Sequence, residues 1–176
     1  MKKYYFIDDF NPNHLNDLDK NVTLIWRSKE KIDDFKTIYK LANFCKKKKL
    51  KLVLSNNIKL AIKLKLSGVY ISSYNKDMRF NCFQYKKNFK LLGSAHNLLE
   101  VNFKKLQKIS EVFISPVFKH KKRSPLGIHK CRIFFQDVTY KKIALGGINK
   151  KNLNLLSLTK FSGFAAIDFF KKKGPK

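Results

Sequence analysis

One stretch in the first half of the chain indicates the architecture: residues 50–71 read LKLVLSNNIKLAIKLKLSGVYI. Apolar runs at 50–54 and 68–71 predict two short strands. Between them, apolar residues recur every three or four positions, which is the spacing of a helix with one apolar face. These residues are Ile58, Ala61, Ile62 and Leu66. A strand, a helix and a second strand in this order form a βαβ unit with parallel strands.

The same alternation continues in both directions from this segment. Eight apolar runs predict strands, at residues 4–7, 23–26, 50–54, 68–71, 89–93, 112–115, 142–145 and 163–167. Helical spacing recurs between several of them, but residues 11–20 and 80–86 leave room for little more than one or two turns. Eight strands with intervening helices predict an α/β fold, a compact (β/α)8 TIM barrel with shortened helices. An open flavodoxin-like sheet with fewer strands is the alternative.

Length and composition are those of one folded domain. The chain has 176 residues and no Gly/Ser-rich linker, so we expect a single domain over residues 1–176. With 44% hydrophobic residues, it has enough apolar surface to form a core. No apolar run approaches the roughly 18 residues that cross a bilayer, and no secretory signal is recognisable. The cysteines, Cys45, Cys82 and Cys131, form no C-x-x-C pair, so we expect a cytoplasmic protein without a membrane segment.

The strongest feature of the composition is a formal net charge of +27. Only four of the 39 basic residues are arginines, and the lysines are scattered through nearly every segment. Nucleic-acid-binding proteins usually use arginine and concentrate their charge on one face. We therefore favour AT-rich codon bias acting on a solvated surface, and do not expect nucleic acid as a partner. A basic RNA-binding protein is the alternative, and it requires the lysines to converge on one face.

In a barrel of this kind, the chemistry lies where strands end and the following loops begin. Small, polar or cationic residues follow nearly every predicted strand. They include Arg27, Lys29, Ser55, Asn56, Asn75, Ser94 and His96, with Asp168 after the last strand. Together such groups would form a ring suited to phosphate. Individually each has a simpler explanation, since polar residues also cap helices.

Two segments are less easily explained as caps. Residues 143–148 read IALGGI, and with Asn149 opening a helix, Gly146 and Gly147 would leave backbone N–H groups free to hold a phosphate dianion. A tight turn with positive φ is the alternative explanation of the glycines. The second segment, residues 119–123 (KHKKR), lies in a loop long enough to be a lid. Its alternative is a solvated charge run.

The order of these motifs resembles one known group of proteins. The sequence has Arg27-Ser-Lys29, Ser94-Ala-His96, Ser115-Pro-Val-Phe118 and Ala144-Leu-Gly-Gly-Ile148 after the second, fifth, sixth and seventh strands. In order and spacing, from about Tyr4 to Phe170, they are similar to the thiamine phosphate synthase and thiazole tautomerase (TenI-like) superfamily. The Pro-Val-Phe and Gly-Gly-Ile blocks are the most specific of these motifs.

The resemblance implies a (β/α)8 barrel and a defined reaction. In the synthase, hydroxymethylpyrimidine diphosphate is joined to thiazole phosphate, diphosphate is released and thiamine phosphate is formed. These two phosphorylated small molecules are therefore the expected partners. By the resemblance, Gly146 and Gly147 would hold the thiazole phosphate. The diphosphate would be held by Arg27, Lys29, Ser94, Lys122 and Arg123.

The sequence departs from the family at the positions that hold its metal ion. In the family, Mg²⁺ assists the departure of diphosphate and is held by carboxylates after the third and fourth strands. The corresponding residues here are Asn56 and Asn75, and neutral amides are poor ligands for Mg²⁺. We therefore predict no metal ligands and weak or magnesium-independent turnover. Asp168 replaces a serine expected to help hold phosphate, and Ser115 replaces the histidine of the tautomerase branch.

Three functions are consistent with these residues. The chain is a divergent thiamine phosphate synthase-like enzyme, a non-catalytic or TenI-like barrel that binds a phosphate ester, or a basic RNA-binding protein. His96 likewise has two possible roles, a structural hydrogen bond or a contact with substrate.

Overall fold

All eight predicted strands are present in the computed structural model, which describes residues 1–28, 34–119, 124–135 and 140–171. They are parallel and close into a barrel in chain order. The strands are β1 (Lys2–Ile7), β2 (Val22–Trp26), β3 (Lys51–Ser55), β4 (Gly68–Ile71), β5 (Lys90–Ala95), β6 (Glu111–Ile114), β7 (Lys141–Leu145) and β8 (Gly163–Ala166). The predicted barrel is confirmed. The open-sheet alternative is wrong, because Lys2 of the first strand pairs with Gly163 of the last.

Short helices connect these strands in the described ranges. They are α1 (Pro12–Asn16), α2 (Phe35–Lys48), α3 (Ile58–Lys63), α4 (Leu98–Leu106) and α5 (Gly127–Phe134), with 3-10 helices at Arg79–Cys82 and Leu153–Leu158. Apart from α2, no described α-helix exceeds nine residues, which confirms that the helices are shortened. No helix in these ranges has the length and apolar character needed to cross a bilayer.

The connection after β7 differs from the prediction. The sequence predicts that Asn149 opens a helix, but the next helix is the 3-10 helix that begins at Leu153. Asn149 instead forms a turn in which its side-chain oxygen accepts from the N–H groups of Lys151 and Asn152, at 2.9 and 3.1 Å. Asn152 Nδ2 in turn donates to the carbonyl oxygen of Gly147 at 2.8 Å. Side-chain hydrogen bonds of this kind compete with helix formation.

Alternate residues of each strand fill the barrel interior. The buried inward residues are Tyr4, Phe6, Ile25, Val53, Tyr70, Leu92, Phe113, Ile143 and Ala165. Four of these side chains are aromatic and pack edge to face, with ring centroids 4.9 Å apart for Tyr4 and Phe113 and 5.1 Å apart for Phe6 and Tyr70. These rings fill the middle of the barrel. The inward-facing residues that come two positions later in each strand therefore lie above them, at the carboxyl ends of the strands.

Candidate active site at the carboxyl ends of the strands

A cavity of about 720 Å³ opens at the carboxyl ends of the strands, and we call it the mouth cavity. Several of its lining residues occupy the next inward position of a strand, two residues beyond the buried core. These are Arg27, Ser55, Ser72, Ser94, Ser115 and Leu145, which follow Ile25, Val53, Tyr70, Leu92, Phe113 and Ile143. Serine hydroxyls from four neighbouring strands, β3 to β6, therefore converge in one polar cavity.

The floor of the mouth cavity joins an aromatic ring to a polar layer. Tyr70 is buried, and its hydroxyl is hydrogen-bonded to Ser94. Burial raises the pKa of Tyr70 to about 12, although Ser94 and Arg27 oppose this effect, so the phenol stays protonated at neutral pH. The guanidinium carbon of Arg27 lies 5.4 Å from the centroid of the Phe6 ring. This cation–π contact holds the guanidinium at the cavity, where its N–H donors suit a phosphate group.

Asn56 and Asn75, which correspond to the metal-binding positions of the family that the sequence resembles, lie side by side in a network of amide hydrogen bonds. Asn75 Nδ2 donates to Asn56 Oδ1 at 3.2 Å, and the backbone N–H of Ser72 donates to the same oxygen at 3.0 Å. Asn56 Nδ2 donates to Ser72 Oγ at 2.9 Å and to the hydroxyl oxygen of Tyr74 at 3.0 Å. Asn56 thereby ties the end of β3 to the loop after β4, and it does so with a backbone φ of 56°.

This network does not fit a magnesium ion. Mg²⁺ prefers carboxylate, phosphate and water oxygens in an octahedral arrangement. The side-chain oxygen of Asn56 already accepts two hydrogen bonds, and that of Asn75 accepts the N–H of Asp77 at 2.9 Å. The Asp77 carboxylate is itself paired with Arg79, at 2.7 Å. In the described ranges, no group of three or more His, Cys, Asp or Glu side chains is arranged to hold a metal ion.

A buried lysine is hydrogen-bonded to the backbone of the loop after β4. Lys104 of α4 is only 2% exposed, and its Nζ donates to the carbonyl oxygens of Ser72 and Asn75, at 2.8 Å each, and to Gln107 Oε1 at 2.9 Å. Gln107 Nε2 donates to the carbonyl oxygens of Asn75 and Asp77. Burial lowers the pKa of Lys104 to about 8, with nearby Glu100 opposing the shift. One internal cation therefore fixes the backbone that carries Asn75.

His96 lines the mouth cavity and also has a structural partner. Its Nδ1 lies 2.5 Å from the carbonyl oxygen of Ser115, which can only accept, so Nδ1 carries the proton. In the neutral ring, Nε2 then keeps its lone pair. The backbone N–H of His96 donates to Glu100 Oε2 at 2.7 Å, and Asn97 caps the helix by accepting from the N–H of Glu100. The hydrogen bond from Nδ1 to the Ser115 carbonyl oxygen thus fixes the orientation of the His96 ring at the cavity wall.

Gly146 and Gly147 pack against the loop after β6 and do not line the mouth cavity. Both have positive φ, 91° and 70°. A Cβ on Gly146 would lie 2.8 Å from the Pro116 Cβ, and one on Gly147 would lie 2.5 Å from the carbonyl oxygen of Lys119. The need for positive φ therefore applies to both glycines. Close packing on the β6 loop is a further reason that the sequence did not reveal.

The remaining predicted residues divide into two groups. Asp168 is exposed and does not line the mouth cavity; it contributes, with Asp8 and Asp9, to a raised pKa of Tyr5 whose largest cause is burial. Lys29, Lys122 and Arg123 lie outside the described residues. The structure thus brings Arg27, Ser55, Asn56, Ser94 and His96 to one cavity, with Asn75 hydrogen-bonded to it through Asn56.

Three contributors were not selected as site residues from the sequence. Ser72 and Ser115 could have been found from strand periodicity, because each lies two residues after a large inward core residue. Tyr70 looks like an ordinary core aromatic, and its hydroxyl becomes relevant only beside Ser94.

Proteins of known function share this sequence pattern. The family model for thiamine monophosphate synthase matches residues 18–170. A thiamine-phosphate synthase from Prochlorococcus marinus subsp. pastoris is 26% identical over 128 residues, which are 70% of this chain and 36% of that protein. The chain thus spans about a third of the length of this curated relative.

Solved structures share the fold. Thiamine phosphate pyrophosphorylase from Pyrococcus furiosus superposes with a TM-score of 0.76 at 16% identity, covering 95% of this chain and 85% of that one. The thiamine phosphate pyrophosphorylase of Bacteroides thetaiotaomicron gives a TM-score of 0.63 at 19% identity, covering 95% and 83%. At such identities the likeness concerns the fold alone. Since the family model covers most of the chain, from the end of α1 to the residues after β8, the protein belongs to the thiamine monophosphate synthase family.

Proposed function

We propose that this chain acts in thiamine biosynthesis as a thiamine phosphate synthase-like protein of the cytoplasm. It joins hydroxymethylpyrimidine diphosphate to thiazole phosphate and releases diphosphate. The observation that carries the proposal is the convergence of Arg27, His96 and four serine hydroxyls in one cavity, in a chain of this family. The cavity volume of about 720 Å³ lies in the range of small-molecule sites.

The reaction requires stabilisation of a leaving anion. The bond between the pyrimidine methylene carbon and the diphosphate oxygen breaks, and its electron pair leaves with diphosphate. The thiazole ring nitrogen then forms the new C–N bond with its lone pair, which produces the thiazolium of thiamine phosphate. Negative charge therefore accumulates on diphosphate, and fixed donors aimed at that charge lower the barrier. Arg27 and Ser94 are the described residues to which we assign this role.

In this proposal, side chains of the protein stabilise the leaving diphosphate without a divalent ion. Asn56 and Asn75 use their amide oxygens in hydrogen bonds to each other and to backbone N–H groups. Hydrogen-bond donors cannot coordinate two phosphate oxygens at about 2 Å as Mg²⁺ does. We therefore expect weak turnover that does not depend on magnesium. The diphosphate-binding roles of Lys29, Lys122 and Arg123 remain predictions.

An assay that couples both substrates, with Mg²⁺ and with EDTA, tests this proposal. We expect slow formation of thiamine phosphate that EDTA changes less than about twofold, because the amide oxygens of Asn56 and Asn75 accept hydrogen bonds and are poor ligands for Mg²⁺. Strong magnesium dependence of the unaltered chain would contradict the assignment of Asn56 and Asn75.

A variant with carboxylates at positions 56 and 75 tests the same assignment by restoring the metal ligands of the family. Asn56→Asp/Asn75→Asp returns two carboxylates to neighbouring positions, and we expect it to show turnover stimulated by Mg²⁺. Asn43→Asp/Asn102→Asp is the matched control, since it makes the same charge change at exposed positions on α2 and α4. No stimulation in the first variant, or equal stimulation in both, would argue against the metal positions.

A barrel that binds a phosphate ester without turnover is the second candidate. The hydrogen bond between Asn56 and Asn75 favours it, because it occupies the place where the family holds its Lewis acid. Calorimetric binding of thiazole phosphate without any thiamine phosphate formed in the coupled assay would select this function.

A further inference from the structure

A second large cavity lies at the opposite end of the barrel, where the strands begin, and we call it the basal cavity. Its volume is about 920 Å³, and it lies among the first residues of β1, β3, β5, β6 and β7. The loop from α3 to β4 and the segment before β5 complete its wall. Seven of the sixteen described residues that line it are lysines, whereas lysine makes up about a fifth of the chain.

Among the described residues that line the basal cavity, the one carboxylate, Glu111, is already paired. Glu111 accepts hydrogen bonds from Lys2 Nζ and the Tyr4 hydroxyl, and Lys90 Nζ lies 3.6 Å from Glu111 Oε1. The other five lysines form no salt bridge with any carboxylate in the described part of the chain. They are Lys51, Lys65, Lys86, Lys87 and Lys141, all of them exposed. The cavity therefore carries a large excess of positive charge.

Two lysines of the cavity, Lys2 and Lys51, are close enough to Lys90 to repel it. Burial lowers the pKa of Lys90, Glu111 raises it, and Lys2 and Lys51 lower it further by repulsion. Like charges around a concave surface focus a positive potential that attracts anions. The mouth cavity differs, since Arg27 is the one cation among the described residues that line it.

We propose that the basal cavity binds an extended chain of phosphates, of the kind found in the backbone of single-stranded RNA or in polyphosphate. A single phosphate engages two or three ammonium groups, whereas these lysines are distributed over the beginnings of four strands (β1, β3, β5 and β7) and two loops. The concave shape does not suit a flat lipid surface. Lysine acts on phosphate as a point charge, so we expect little sequence preference.

This binding site is independent of the proposed enzymatic function. None of the residues that the structure describes lines both the basal and the mouth cavity, and the two cavities lie at opposite ends of the barrel. A failure of the coupled enzyme assay therefore leaves this proposal intact, and a failure of phosphate-chain binding leaves the proposed function intact.

Fluorescence anisotropy with labelled oligouridine RNA, at several salt concentrations, tests the proposal. The variant Lys65→Gln/Lys86→Gln/Lys87→Gln removes three cations from the cavity. The control Lys36→Gln/Lys40→Gln/Lys47→Gln removes three exposed cations from α2, none of which lines either cavity. All six side chains are exposed, so we expect both variants to fold, and circular dichroism checks this.

We expect the cavity variant to bind about tenfold more weakly near physiological salt, and the slope of log affinity against log salt to fall by about two. The control should change affinity by about twofold or less. We expect inorganic polyphosphate to displace the RNA, because the charge of a phosphate chain is sufficient for binding. RNA binding that polyphosphate does not displace would contradict a site for phosphate chains. Absence of binding at physiological salt, or equal weakening in both variants, would overturn it.

Discussion

Among single residues, Gly147 has little room for a side chain, because it packs against the loop after β6. Its φ is 70°, and an added Cβ would lie 2.5 Å from the carbonyl oxygen of Lys119 and 2.8 Å from that of Phe118. Both atoms belong to the backbone, so the loop after β6 would have to move. We expect Gly147→Ala to lower the free energy of unfolding by about 2–4 kcal/mol. In thermal denaturation this corresponds to a Tm roughly 5–10 °C lower.

Gly127→Ala is the matched control for this prediction. Gly127 has nearly the same φ, 73°, but an added Cβ would meet nothing within 4 Å. Its substitution should cost only the backbone strain, about 1 kcal/mol. If both variants lost the same stability, the packing of Gly147 against the loop after β6 would not be the cause.

The sequence predicted which residues lie in the site better than it predicted the hydrogen bonds that they form. Arg27, Ser94 and His96 were found from their positions after strands, because the carboxyl ends of parallel strands meet at one face. The pair Asn56 and Asn75 was matched through the family, and its hydrogen-bond network depends on a positive φ that the sequence does not display. Lys104 was not found, since a lysine within a helical pattern usually extends into solvent.

At the scale of elements, Lys104 connects α4 to the loop after β4. Its three acceptors are two backbone carbonyl oxygens and one amide oxygen, and all lie within 2.9 Å of Nζ. We expect Lys104→Met to destabilise the protein by about 1–3 kcal/mol at pH 7, because buried acceptors lose their donors. Urea unfolding measures this change.

The effect of Lys104 should also depend on pH. Its pKa is lowered to about 8 in the folded protein, against an ordinary value of 10.5 in the unfolded chain. Between these values the unfolded chain binds more protons, so Lys104 makes the wild type gain stability as pH rises. The stability difference between wild type and Lys104→Met should grow by about 2 kcal/mol from pH 7 to pH 10. A difference that stayed constant would show that Lys104 does not titrate in this range.

The elements were predictable where periodicity is strong. β4 has the predicted bounds, and every other strand differs by one or two residues at its ends. β1 begins at Lys2, earlier than its apolar run indicates, because Lys2 pairs with Gly163 and bonds to Glu111. The turn at Asn149 differs because side-chain hydrogen bonds of asparagine satisfy backbone N–H groups that a helix start would otherwise expose.

At the scale of the whole molecule, the number of strands predicted a closed barrel, but the sequence did not predict how the positive charge is distributed over it. Eight strands joined by helices favour a closed barrel over an open sheet, and the pairing of β8 with β1 confirms it. The lysines of the basal cavity come from widely separated segments, and a linear sequence does not show that strand beginnings bring them together. The closed barrel also places the polar mouth cavity and the lysine-rich basal cavity at opposite ends of the molecule.

The most direct test of the mouth cavity is calorimetric titration with thiazole phosphate and the pyrimidine diphosphate, each with Mg²⁺ and with EDTA. We expect both to bind equally well under the two conditions. Arg27→Gln should weaken diphosphate binding about tenfold or more, whereas Arg132→Gln, an exposed arginine outside the cavity, should not. Failure of both compounds to bind, or binding that requires magnesium, would contradict the account.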